Sequence, residues 1–139
     1  MGSWGVDSFG NDDAADWAWQ LDDSSDLTLV EATLERASVG VDTYLEAPAA
    51  CEGVAAAEAI ARLRGAGGER TPYSESVDNW VARIATRPSP EVVARAVAAV
   101  DRVIAANSEL RELWEETEEV SAWLAAMAEL RGRLTAPVS

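Results

Sequence analysis

Apolar residues in this chain recur at intervals of three and four, and nowhere do β-branched and aromatic residues alternate with polar ones over a strand-length run. That spacing lines them up along single faces of α-helices, and such faces are buried by packing helix on helix. Residue supply points the same way, because Ala, Leu, Glu and Arg are strong helix formers. With 139 residues, 48% of them apolar and 26% charged, the chain is long enough to bury a core without metal or disulfide. The expected fold is all-α: one compact bundle of about six helices forming a single domain over residues 1–139, with at most a short extended piece near Trp4.

The helices can be placed by their caps and stripes. Asn11 suits an N-cap and Asp12 and Asp13 a first turn, so the first helix should run to about Leu21. Thr28 and Glu31 have capping-box spacing ahead of a stripe of Leu27, Val30, Leu34, Ala37 and Val41, with Gly40 near the end. Pro48 opens a third helix whose Ala-rich body, Ala49 to Arg64, stops at Gly65-Ala66-Gly67-Gly68; Gly65 to Pro72 is the expected flexible loop. Val77, Trp80, Val81 and Ile84 define a fourth. Ser89 and Pro90 start a fifth, running to Ala106, which is apolar around most of its girth and keeps Glu91, Arg95 and Arg102 on one strip; it is expected to be the central helix. Ser108 caps a sixth through Leu110, Leu113 and Trp114 to Leu134, with a bend near Glu118.

All eleven basic residues are Arg, and Lys and His are absent. GC-rich coding accounts for the bias, but its chemical consequence is large. Without His there is no Ser-His-Asp or Cys-His nucleophile system and no imidazole metal ligand; without Lys there is no Schiff base, Ser-Lys dyad or P-loop lysine. Cys51 stands alone, so no intramolecular disulfide forms, and on an Ala-rich helix it reads as buried filler. The chain therefore leans away from enzymes, and no cofactor is expected. No secretory leader, myristoylation signal or membrane-spanning run is present, which makes the cytoplasm the expected compartment.

The net charge of −14 is concentrated. Residues 1–26 hold seven Asp and no Arg, and residues 109–119 hold six Glu against Arg111, contributing −7 and −5 and leaving −2 for everything else. Such a field repels phosphate backbones and anionic lipid, which excludes nucleic acid and membranes and favours a basic protein surface as partner. The docking candidates are Asp12, Asp13, Asp16, Trp17, Glu112, Glu115 and Glu116. Of Trp17 and Trp19, only one can face inward from a single helix.

Two carboxylate features suggest a different chemistry. Asp12 and Asp16, four apart, share a helical face, and Glu58 sits in Ala55-Ala56-Ala57-Glu58-Ala59-Ile60-Ala61 with small or apolar neighbours throughout. Asn11, Asp12, Asp16 and Glu58 together could form an acidic site around a divalent cation, with hydrolysis as the alternative function. Against that, first-turn acids serve the helix dipole, and Glu58 can pair with Arg62 one turn on or act as a buried acceptor.

The opening Met1-Gly2-Ser3-Trp4-Gly5-Val6-Asp7-Ser8-Phe9-Gly10-Asn11-Asp12-Asp13-Ala14-Ala15-Asp16-Trp17 resembles the N-terminal signature of a bacterial family catalogued as domain of unknown function 4259. The likeness continues through Ala55 to Glu58, Trp80, and Ser108-Glu109-Leu110-Arg111-Glu112-Leu113-Trp114. It implies no activity; it does place Asn11, Asp12, Asp16, Glu58, Trp80 and Trp114 within matching stretches. The leading expectation is a non-enzymatic inhibitor, immunity or adaptor module docking a basic partner. Oligomeric state is left open.

Overall fold

A computed structural model of the chain describes residues 12–67 and 74–136. Its elements are α1 Asp12–Gln20 with a 3₁₀ turn at Leu21–Asp23, α2 Thr28–Ala37, α3 Ala47–Leu63, α4 Glu75–Ile84, α5 Pro90–Val103, α6 Glu109–Glu115 and α7 Val120–Thr135. Among the described residues there is no strand, only a single parallel bridge between Leu45 and Ser108. The all-α expectation stands, and the expected sixth helix is two: the chain breaks over residues 116–119, and Trp114 and Trp123 stack across the break with centroids 6.1 Å apart.

The first two helices bury the faces their spacing dictates. Ala14, Trp17 and Ala18 point inward from α1, Leu21 from the 3₁₀ turn after it, and Val30, Thr33, Leu34 and Ala37 from α2. The capping box does not form. Asp26 caps α2 instead, its carboxylate accepting from the Thr28 amide at 3.0 Å, and the helix ends at Ala37, leaving Val41 exposed. At the end of α3, Gly65 adopts φ +86°, and the amides of Gly65 and Ala66 return to the carbonyls of Arg62 and Ala61. This Schellman turn is what the glycine was expected to supply. The rest of the expected loop, from residue 68, lies outside the described residues.

The central helix is α3, not α5. Twelve of its 17 residues are buried against six of 14 in α5, and α3 touches every other α-helix. Small side chains explain this: Ala on every face lets neighbours approach from all sides, and at Gly53 a Cβ would stand 2.4 Å from the Ala37 Cβ, so α2 lies directly against the α3 backbone there. Helix α5 packs chiefly on α2, α3 and α7, and Val93, Ala94 and Val97 are at least partly exposed.

The polar strip assigned to α5 is also divided. Glu91 and Arg95 face out, but Arg102 is buried, its guanidinium donating to the carbonyls of Val39 at 2.7 Å, Thr43 at 2.6 Å, Ala106 at 3.0 Å and Asn107 at 3.1 Å. Arg102 thus satisfies the backbone of the α2–α3 connection from within.

Candidate functional site

Glu58 is buried, at 2% exposure, on the face of α3 toward α4 and α7. Arg133 clasps it with two parallel bonds, Nη2 to Oε1 at 2.7 Å and Nη1 to Oε2 at 2.9 Å, and Arg62 Nε adds a third at 3.0 Å. Arg62 continues to Asp78 at 2.7 Å, which accepts from Ser74 Oγ at 2.8 Å; Arg133 continues to Glu129 at 2.8 Å. Partial burial works against the Arg133 charge, but hydrogen bonds from it to Glu58 and Glu129 hold its pKa above the ordinary value. The arrangement ties α3, α4 and α7 together through charge-assisted bonds.

This corrects the reading of Glu58 as half of a cation site. Both its oxygens are engaged by guanidinium groups, and it is the pairing with Arg62, extended by Arg133, that the structure adopts. Among the described residues no group of three His, Cys, Asp or Glu side chains is placed to hold a metal ion. Asn11 lies outside the described residues; Asp12 and Asp16 are exposed on α1.

The acid-rich segments, some ninety residues apart in sequence, converge at the N-terminal half of α3. The α2–α3 connection is tied to the start of α6 by the Leu45–Ser108 bridge, in which the Leu45 amide donates to Asn107 and the Glu109 amide to Leu45. Glu109 then caps α3 from outside it, accepting from the Ala47 amide at 2.7 Å, and Glu112 accepts from Tyr44 Oη at 2.7 Å. The buried Cys51 thiol registers the convergence. Its pKa is pushed up to about 12, first by burial and then by the charges of Asp13 on α1, Glu52 on α3 and Glu109 on α6. Tyr44, 44% exposed, is likewise raised to about 12, chiefly by its bond to Glu112, with burial and the charges of Glu112, Glu109 and Glu46 adding to it. Asp13, Glu52 and Glu109 thus act on Cys51, and Glu46, Glu109 and Glu112 on Tyr44, while Glu52 also pairs with Arg36 at 3.6 Å.

Of the docking candidates, Asp12, Asp13 and Asp16 are exposed on α1, and Glu112, Glu115 and Glu116 are exposed on or at the end of α6. Glu115 pairs with Arg111 at 3.2 Å. Trp17 is the exception: it is 1% exposed and its indole N–H donates to Thr33 Oγ1 at 2.8 Å, so it belongs to the core. Trp19 is the tryptophan left in solvent, at 68% exposure, and three- and seven-residue spacing puts it on the same face of α1 as Asp16 and Asp12. Sequence reading could have separated the two, since Trp17 shares its stripe with Ala14, Ala18 and Leu21. Tyr44, Glu46 and Glu52 carried no comparable signal, because their place depends on the α2–α3 connection docking against α6.

A family model described as domain of unknown function (DUF4259) matches residues 2–126, and the chain belongs to that family. No curated protein and no solved structure matches it.

Proposed function

We propose that this DUF4259 protein is a non-catalytic binding module of the inhibitor, immunity or adaptor type, acting in the cytoplasm by docking a basic surface of a partner protein. The observation that carries the reading is the convergence of Asp13, Glu46, Glu52, Glu109 and Glu112 around the N-terminal half of α3, with Tyr44 exposed among them. Clustered like charge on a rigid helical surface steers an oppositely charged partner and rejects phosphate polymers. Exposed aromatics beside the acids, Tyr44 here and Trp19 next to Asp12 and Asp16, supply the apolar anchors that charge alone lacks. The absence of His and Lys from the whole chain removes most acid–base and nucleophilic chemistry and supports a binding role.

The test is affinity capture from the native cell with the tagged chain, at about 0.05 M and about 1 M salt, where the screening length changes roughly from 14 to 3 Å. A basic protein retained at low salt, released at high salt and not retained by a Glu46→Gln/Glu112→Gln/Tyr44→Ala variant is the expected result. Equal retention by that variant, or retention indifferent to salt, would contradict the reading.

A further inference from the structure

Helix α5 was expected to be wrapped on most sides, yet α2, α3 and α7 cover only part of it. Its N-terminal half and the C-terminal turns of α7 border an open groove of about 610 Å³, lined by Pro88, Val93, Val97 and Leu134 together with Arg64 and Arg87. Pockets of roughly 300–1,000 Å³ with an apolar lining and few polar groups are the usual form of small-molecule sites.

The two arginines give the groove its chemistry. Arg64 donates through its terminal nitrogens to the carbonyls of Arg133 and Ala136, so it is held in place while its charge meets no carboxylate among the described residues. Arg87 is exposed and, alone among the described arginines, makes neither a hydrogen bond nor an ion pair. In a chain carrying −14, carboxylates are available almost anywhere, and most other described arginines take one. Cations that meet no carboxylate among the described residues, beside an apolar trough, complement an anionic ligand with an apolar chain.

We propose that this groove binds a medium-chain aliphatic monocarboxylate, its carboxylate held by Arg87 and its chain lying along Val93 and Val97. A carboxylate matches the planar fork of a guanidinium. The floor is apolar side chain, which suits an aliphatic chain better than a peptide backbone with polar groups to satisfy. The site lies apart from the acidic face and does not depend on the docking role proposed for it.

Calorimetric titration of the intact chain with hexanoate, octanoate and decanoate tests the assignment. Affinity should rise about fourfold per added methylene, as burial of aliphatic surface requires. Decylamine, with the same chain and the opposite charge, should bind at least about tenfold more weakly than decanoate. Arg87→Gln, in an exposed connection, should weaken decanoate by about tenfold or more. Ala94→Trp, which fills the groove from an exposed position, should abolish binding while circular dichroism stays that of the wild type. The proposal is overturned if decanoate fails to bind at about 1 mM, if decylamine binds as well, or if Arg87→Gln changes nothing. It is also overturned if decanoate is excluded because a second copy of the chain fills the groove, which light scattering would reveal as a dimer that Ala94→Trp dissociates.

Discussion

Glu58 and Glu112 are the same residue in opposite circumstances. Glu58 is 2% exposed and receives three bonds from two guanidinium groups; Glu112 stands on an exposed helix face, bonded to one tyrosine among other carboxylates. A buried carboxylate without cations would be too costly to keep, so the fold surrounds Glu58 with arginine. A carboxylate in water needs no partner, and grouping several of them opposes folding through mutual repulsion. The first arrangement is what a fold requires; the second is what a docking surface requires. Two carboxylates that look alike in sequence thus stand one within the architecture and the other on the surface proposed for docking.

The contrast breaks most sharply at the buried end. Glu58→Ala leaves Arg62 and part of Arg133 facing each other without their anion, and should destabilise by about 3–5 kcal/mol in urea unfolding. A loss under about 1 kcal/mol would mean that water reaches the pair freely and that the clasp is superficial. Arg102→Met comes next. It strands several carbonyls of the connection that carries Tyr44 and Glu46, and a loss of about 2–3 kcal/mol is expected, together with faster amide exchange over residues 39–45. Exchange unchanged in that segment would show that the acidic face does not depend on Arg102.

A third effect is confined to alkaline pH. The folded Cys51 thiol keeps its proton up to about 12, whereas the unfolded thiol loses it near 9.0. Between those values the folded chain binds more protons than the unfolded one, so stability, level below pH 9, falls as pH rises through the window. Cys51→Ala should flatten part of that decline in thermal scans, with Tyr44, raised by Glu112, supplying the remainder. A decline identical in wild type and variant would remove Cys51 from the account. Smaller still is the loss expected for Glu115→Gln, within about 0.5 kcal/mol, because its pair with Arg111 is half exposed on both sides.

Much of the fold was legible because caps and apolar spacing act locally. Pro90, Ser89 and Gly65 set helix boundaries through their own backbone preferences, and the Ser89 hydroxyl caps α5 as expected. What sequence misplaced were relations between elements. Helix α5 reads as the central helix because it is apolar around most of its girth, yet centrality follows from how closely neighbours can approach, which favours Ala and Gly. Arg102 was read with Glu91 and Arg95 because the three share a strip; that the α2–α3 connection passes over one end of the strip is tertiary information. At the candidate site, the charge runs were plain in the sequence. Their meeting around Cys51, and the recruitment of Tyr44 and Glu46, depend on a bridge between Leu45 and Ser108 that spans more than sixty residues.

On the docking proposal the exposed carboxylates of Asp16, Glu46 and Glu112 are dispensable to the fold, whereas Glu109, which caps α3, is not. The direct test is the melting temperature of an Asp16→Asn/Glu46→Gln/Glu112→Gln chain beside the wild type at low ionic strength, where repulsion is least screened. Relief of like-charge repulsion should leave the variant as stable as the wild type or more so, in keeping with the tension between functional surfaces and stability. A melting temperature lower by more than about 3 °C, equivalent to about 1 kcal/mol for a chain of this size, would contradict the account and return these carboxylates to the architecture.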